Sequence, residues 1–367
     1  MDRKEVIQIK GYYDISKVKK QAEKEQSNFI FIYGGKSKGK SYQAKKVLML
    51  EHYVKTGKRF VLLRRYSEEI DKTPTELYFN DIVSKELDTI TKGKFNGIEC
   101  IANKIYFVAY NENGKVEKKE HIGYAISLNR EQNFSSILSE KDIDNIIFEE
   151  FQSRTTYLTG ECDKLDFLYS TIDREQGTTR IWFLGNAISK ACPYWNKFGI
   201  LDIVKNQKNA TIEIHEIDGK KILLEKTPVF KATKTTVGQS AGAIALGEWY
   251  AEKQPRLKMN KNHKRGLLYV NFDFNGLLFL GELNLTENKD PYWFIRSVEF
   301  FKDTKKTYTV TNAFKPSKMV GSNIYDLGGE RFREIVKKTF VKDKIFFSTH
   351  ETGTDFNTAC TFRIRGG

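Results

Sequence analysis

The sequence predicts an α/β fold, a parallel sheet with helices on both faces, over its first 200 or so residues, followed by a linker and a smaller α+β unit. Three observations carry this. Short apolar runs recur at 29–33 (FIFIY), 59–64 (RFVLLR), 143–148 (IDNIIF) and 180–184 (RIWFL), each of the length and composition of a strand buried on both faces. Between them, 40–55 and 163–172 carry helical apolar spacing, and alternation of strand and helix is the signature of a parallel sheet covered by helices. Beyond that region the texture changes to hairpin signals.

Taken in chain order, 98–110 and 120–128, separated by the turn sequence NENGK, read as an inserted hairpin. TIEIHEIDGKKILLE (211–225) is a hairpin around Asp218-Gly219, and GQSAGAIALGEWYAEK (238–253) is helix-compatible. QPRLKMNKNHKR (254–265) contains no acid and reads as a basic loop or linker. LLYVNFDFNGLLFLGELNL (267–285) is a hairpin around Asn275-Gly276, and GERFREIVKKTF (329–340) an amphipathic helix between strands. The expected units are 1–205, a linker subdomain at 206–255, and 256–367. A chain of 367 residues with 40% hydrophobic content suits more than one core, because single cores rarely grow past about 250–300 residues.

Composition narrows the function classes. Lys and Arg number 61 against 47 Asp and Glu, a net charge of +14, with an excess of +5 in residues 1–200 and +9 in 201–367. The second part is therefore the better candidate for holding a polyanion, the plainer alternative being a lysine-rich solubilising surface. Cys100, Cys162, Cys192 and Cys360 form no CxxC pair, which argues against a zinc site or a disulfide framework and for a reducing, cytoplasmic setting. MDRKEVIQIKGYYD has no long apolar stretch, and no run reaches the roughly 18 apolar residues of a membrane span. Neither secretion nor membrane insertion is expected.

The sharpest motif is Gly34-Gly35-Lys36-Ser37-Lys38-Gly39-Lys40-Ser41, which fits G-x-x-x-x-G-K-[ST] between an apolar strand and a helical segment. In this context the glycines let successive backbone N–H groups turn inward around phosphates, Lys40 reaches the β/γ oxygens, and Ser41 holds Mg²⁺. Such a loop needs an acidic strand end near Ser41. IDNIIFEEF supplies it, with Glu149 in the place where the usual pattern puts an Asp after four apolar residues, and Glu150 next. Glu149 is the candidate metal-positioning acid and Glu150 the candidate general base or water-orienting residue. Because adjacent residues on a strand face opposite ways, both serve only if the strand ends there. Asn186, closing RIWFLGN, takes the place of a polar γ-phosphate sensor on a strand inserted between the two motif strands; a plain Gly185-Asn186 turn is the alternative.

IYGGKSKGKS, FVLLRRY, IIFEEF and FLGNA, in this order and spacing, resemble the DNA-packaging ATPase (encapsidation protein) family of phi29-type tailed phages, over about residues 28–200. The family's arginine pair after the second strand is matched by Arg64-Arg65, and its arginine before the sensor strand by Arg174. The resemblance implies a P-loop ATPase domain of the ASCE type, a homo-oligomeric ring hydrolysing ATP with Mg²⁺ at subunit interfaces, and double-stranded DNA driven into a procapsid at its portal in the host cytoplasm, with a structural packaging RNA as a possible partner. It implies a C-terminal unit like a vestigial RNase H-type nuclease. Two positions depart from the family pattern: Glu149 replaces Asp, and Lys36 stands where related enzymes often have arginine. Arg174 is the candidate trans-acting finger and Arg180 its competitor. Asp273, Glu282, Asp290 and Asp326 invite a two-metal nuclease reading, but they lack an obvious ligand arrangement, and a binding-only domain is expected. The other function classes are a terminase-like translocase with an active nuclease, another DNA-dependent ATPase such as a helicase loader, and a non-enzymatic nucleic-acid binder.

Lys258, Lys261, Lys264 and Arg265 are the candidate nucleic-acid contacts. Neutralising them together is expected to weaken DNA or RNA binding alike across sequences and to flatten its salt dependence, as phosphate contacts do. Titrations at several salt concentrations check this; unchanged affinity at low salt returns the stretch to a solvated linker.

Overall fold

The computed structural model describes residues 8–9, 13–35, 39–134, 142–153, 156–187, 189–230, 253–257, 261–274, 276–304, 307–311, 320–321 and 323–365. Lys36, Ser37, Lys38, Lys258, Asn275 and most of the helix expected at 238–253 lie outside them. A short strand β1 (Gln8–Ile9) pairs in parallel with a distant partner described below. Helix α1 (Ser16–Glu25) then leads into β2 (Phe29–Gly34), the expected FIFIY strand. A continuous helical segment follows: α2 (Lys40–Gln43), a wide π-type stretch (Ala44–Leu50) and α3 (Glu51–Thr56). Strand β3 (Arg59–Arg64) returns to the sheet, and α4 (Lys72–Val83) and α5 (Leu87–Thr91) come after it.

The inserted hairpin takes a different form from the one expected. Residues 98–110 divide into β4 (Gly97–Ile101) and β5 (Lys104–Tyr110), because Ala102 and Asn103 both take left-handed backbone and close a tight turn. Strand β6 (Val116–Ser127) pairs antiparallel with β5, and from Phe60↔Gly123 to Arg64↔Ser127 it also pairs in parallel with β3. The NENGK turn is held by Asn111, whose Oδ1 accepts the N–H groups of Asn113 and Lys115 at 3.1 and 2.9 Å.

Strands β7 (Ile143–Glu149) and β8 (Arg180–Asn186), joined through α6 (Glu161–Asp173), complete the expected parallel set. After α7 (Pro193–Lys197) and α8 (Leu201–Asn206), the hairpin β9 (Thr211–Ile217) and β10 (Lys220–Lys226) forms around Asp218-Gly219 as read. Its destination was not read. β10 lies parallel to β2, from Ile222↔Phe29 to Lys226↔Tyr33, so the sheet continues past the division placed at residue 205. The nine strands run in the order β4-β5-β6-β3-β7-β8-β2-β10-β9. The block from β6 to β10 is parallel, with β8 inserted between β2 and β7. Its central strands are buried almost throughout, and Phe31 and Phe183 stack at 4.1 Å between centroids across neighbouring strands. β11 (Val229–Phe230) is the partner of β1.

The second sheet is mixed. β12 (Lys264–Phe274), β13 (Leu277–Leu285) and β14 (Pro291–Ser297) form an antiparallel meander, with Phe274 paired to Leu277 at the end of the first hairpin. β15 (Thr307–Thr311) and β16 (Val320–Gly321) extend it in parallel beyond β12, and β17 (Ile345–Phe347) lies parallel to β14. The basic stretch is thus only partly a loop: Lys264 and Arg265 begin a strand. The amphipathic helix appears as α9 (Glu330–Thr339), and α10 (His350–Arg365) packs Phe356 edge-on against Phe272 and Phe279. Two side chains of α10 also reach the first unit. Asp355 accepts a hydrogen bond from Ser189 Oγ at 2.8 Å, and Glu351 one from Lys190 Nζ at 2.6 Å.

A Cβ at Gly123 would lie 2.6 Å from the Phe60 carbonyl oxygen in the partner strand β3. Gly123→Ala is therefore expected to destabilise the chain by about 1–3 kcal/mol through overpacking, read as an earlier urea midpoint with unchanged slope.

Candidate active site

Three adjacent parallel strands end at one edge of the first sheet. The register sets Gly34 of β2 beside Asn186 of β8, and Leu184 of β8 beside Glu149 of β7. The two sequence motifs and the sensor position therefore meet because their strands are neighbours. Gly34 takes φ 146°, and a Cβ there would fall 2.1 Å from Thr227 Oγ1, so only glycine fits between β2 and the chain leaving β10. Gly39, at φ 97°, turns the loop into α2, whose first residues are Lys40 and Ser41.

Lys40 is buried, and its Nζ donates to the Gly35 carbonyl at 2.5 Å and to Asn186 Oδ1 at 3.4 Å. Burial pulls its pKa down to about 8, while the Glu149 and Glu225 carboxylates act against that fall. Ser41 Oγ donates to Glu149 Oε2 at 3.0 Å, and the Tyr78 hydroxyl to Glu149 Oε1 at 2.7 Å. A hydroxyl and a carboxylate so placed are hard oxygen donors of the kind Mg²⁺ prefers. Both atoms of the expected metal pair are thus together.

Strand β7 stops at Glu149, and Glu150 takes left-handed backbone at φ 56°. The alternation of faces is therefore broken between the two carboxylates. The Glu150 side chain is 65% exposed and lies 3.7 Å from Arg64 Nη1. Arg64 sits 5.5 Å from the Tyr78 ring, so it stands between Glu150 and the tyrosine that holds Glu149.

Other candidates lie elsewhere. Arg174 is exposed at the C-terminal end of α6, and Arg180 begins β8, so both are at the opposite edge of the sheet from Asn186, about 20 Å away for a strand of this length. Arg180 lines a cleft of about 610 Å³ with Asn28, Lys58, Asp144 and Gln176, and its buried Nε has no hydrogen-bond partner among the described residues. Lys261, Lys264 and Arg265 are exposed in the second unit. Among the described residues no group of three or more His, Cys, Asp or Glu comes together to hold a metal, and no helix is long and apolar enough to cross a membrane.

Sequence reasoning missed Tyr78, Glu225 and Tyr13. Burial raises the Glu225 pKa to about 7 against the opposing hydrogen bond from Tyr13, whose hydroxyl donates to Glu225 Oε2. Nothing local in ILLEK marks Glu225. Its place near Lys40 follows from the pairing of β10 with β2.

The model of the podovirus DNA encapsidation protein (Gp16) family matches residues 12–220. The chain belongs to that family. Among similar proteins, the DNA packaging protein of Bacillus phage B103 is 30% identical over 223 residues, covering 59% of this chain and 61% of that protein. The DNA packaging protein of Bacillus phage phi29 is 29% identical over 193 residues, covering 50% and 51%. The chain thus spans between about half and three fifths of the curated relatives it matches. A chain of the bacteriophage Phi-29 viral genome packaging motor assembly shares the fold at a TM-score of 0.52 and 19% identity, over 96% of this chain and 99% of that one. The family match runs through Tyr13, Lys40, Ser41, Glu149 and Asn186 and ends before Glu225.

With its pKa near 8, Lys40 carries its full charge below that pH and loses it above. Affinity for ATP is expected to be highest below pH 8 and to fall by up to about tenfold per pH unit above it, whereas Lys40→Ala binds weakly with no such slope. Fluorescence titrations with a nucleotide analogue at pH 7, 8 and 9 check both.

Proposed function

We propose that the chain is the ATPase of a DNA-packaging motor, hydrolysing ATP to move double-stranded DNA into a viral procapsid as part of a homo-oligomeric ring. The observation that carries this reading is the convergence of Lys40, Ser41, Glu149, Glu150 and Asn186 at the ends of β2, β7 and β8. The strand inserted between β2 and β7 supports the ASCE class, and the family relatives named as DNA packaging proteins support the task.

In this reading the loop from Gly34 to Ser41 wraps the triphosphate, and Lys40 neutralises the β/γ oxygens. Ser41 and Glu149 hold Mg²⁺, which when bound supplies charge neutralisation at those oxygens. Glu150 orients the attacking water and accepts its proton. Asn186, bonded to Lys40, senses the γ-phosphate. Arg174, far from its own loop, serves the neighbouring subunit's site, where a guanidinium offsets charge on the transferring group; Arg180 is the alternative finger. The portal and a structural RNA are the proposed partners at the vertex, with transient residence there and otherwise in the host cytoplasm.

The second unit is read as a nucleic-acid-binding relative of RNase H-type nucleases that does not cut. Its meander extended by parallel strands on β12 supports the fold relation. Asp273 and Glu282 argue for binding only. Glu282 pairs with Tyr269, four residues from Asp273 along β12, a separation of about 13 Å, and it lies 3.6 Å from Arg296. Lys258, Lys261, Lys264 and Arg265 are the proposed contacts to phosphates.

Glu150→Gln is expected to bind ATP and not hydrolyse it, while Arg174→Ala binds nearly normally and loses turnover. Mixing the two should restore part of the activity, since one interface then joins an intact Arg174 to an intact Glu150. Recovery with Arg180→Ala in place of Arg174→Ala names Arg180 as the finger. The motor reading itself is checked by whether the protein, empty procapsids and ATP shelter DNA from added nuclease; unprotected DNA with every component present rejects it.

A further inference from the structure

Directly behind the acidic strand end lies a buried ion pair that neither the phosphate loop nor the metal pair uses. The Arg65 and Glu161 side chains are 6% and 1% exposed. Arg65 Nε donates to Glu161 Oε1 and Oε2 at 3.1 and 2.9 Å, and Nη2 to Oε1 at 2.9 Å. Two further donors of the fork go to two consecutive carbonyls: Nη1 to Glu150 O at 3.2 Å and Nη2 to Phe151 O at 2.7 Å. Glu161 is itself fixed by the Leu158 N–H at 2.8 Å and the Tyr194 hydroxyl at 2.7 Å. The guanidinium lies 4.9 Å from the Tyr157 ring, which completes its enclosure.

One of these bonds ends on the carbonyl of a residue in left-handed backbone, and the next on the residue after it. Glu150 is a non-glycine residue at φ 56°, a conformation that persists only where its surroundings over-determine it. Two surroundings do so here. Arg65 takes the carbonyls on one side, and on the other the Phe151 ring packs so close to Gly185 that a Cβ there would be 2.6 Å from it. A lysine in place of Arg65 keeps the charge but cannot reach two carbonyls and a carboxylate in fixed directions at once.

We propose that Arg65, locked by Glu161, is the positioning residue for Glu150: it holds the turn after β7 in left-handed backbone and so aims the carboxylate that the ATPase reading makes the base. The proposal rests on that reading for the chemistry and on the hydrogen bonds for the geometry, and its test separates the two. In the full-length chain, Arg65→Lys and Glu161→Gln are compared with the native protein for ATP affinity, single-turnover hydrolysis, thermal midpoint and amide exchange across 150–153. Loss of about 10²-fold in the hydrolysis rate, the scale of a small misplacement, with ATP affinity kept within about twofold and faster exchange confined to that turn, supports positioning. Methylguanidinium added to Arg65→Ala should then return part of the rate. A lowered midpoint with an unchanged rate overturns the proposal and leaves the pair as packing. If the native chain hydrolyses no ATP in any assembly, the ATPase reading falls; unchanged exchange at 150–153 in both variants overturns the positioning claim whatever the activity.

Discussion

The Lys40 ammonium is held out of water, and a charge so placed costs several kcal/mol unless acceptors and carboxylates come to meet it. Much of the first unit can be understood from that requirement. Gly35 and Asn186 supply acceptors from the ends of β2 and β8, while Glu149 and Glu225 supply negative charge from β7 and β10. Four strands must therefore end in register at one edge, and parallel pairing is the arrangement that brings their C-terminal ends together. The helical segment beginning at Lys40 carries Ser41 to Glu149 in the same step. A ligand rich in phosphate oxygens suits this group because it meets the same need with stronger partners.

The two acids at the end of β7 are treated in opposite ways. Glu149 is 4% exposed and both its oxygens are taken, by Ser41 and Tyr78. Glu150 is mostly exposed and has only a long contact with Arg64. Side chains of the same type thus acquire different surroundings: one closes a strand, and the next leaves it through left-handed φ. A fixed carboxylate suits charge placement, and an open one suits exchange with water.

Much of this was legible in the sequence. The four apolar runs are strands because each buries β-branched and aromatic side chains on both faces, and their order in the chain sufficed to place Ser41 near Glu149. The hairpin at Asp218-Gly219 was legible too, since its turn chemistry is local. What was not legible depends on pairing across long separations. Glu225 stands near Lys40 only because β10 chose β2 as its neighbour, and ILLEK reads the same in a linker as in a sheet. Likewise 98–110 looked like one strand because Ala102 rarely takes left-handed backbone, and Asn103, which does so more readily, has no glycine beside it to mark the turn. Arg64 and Arg65, adjacent in sequence, differ sharply in surroundings, the first shared between Glu150 and Tyr78 and the second enclosed with Glu161. No spacing rule separates them.

The place of β10 bears on how the chain can be divided. It covers the flank of β2 that β8 does not, and its pairing runs along most of that strand. A fragment ending near residue 205 would contain every motif residue and still present β2 as a bare edge. Such an edge, built of FIFIY, is an apolar template for strand addition by other molecules. In solution such an edge favours self-association, with the glycine-rich loop at the growing face. The shortest piece that keeps β2 covered is consequently not the one that the motifs outline; it reaches to Thr227, whose N–H bonds the Tyr33 carbonyl and whose side chain closes over Gly34.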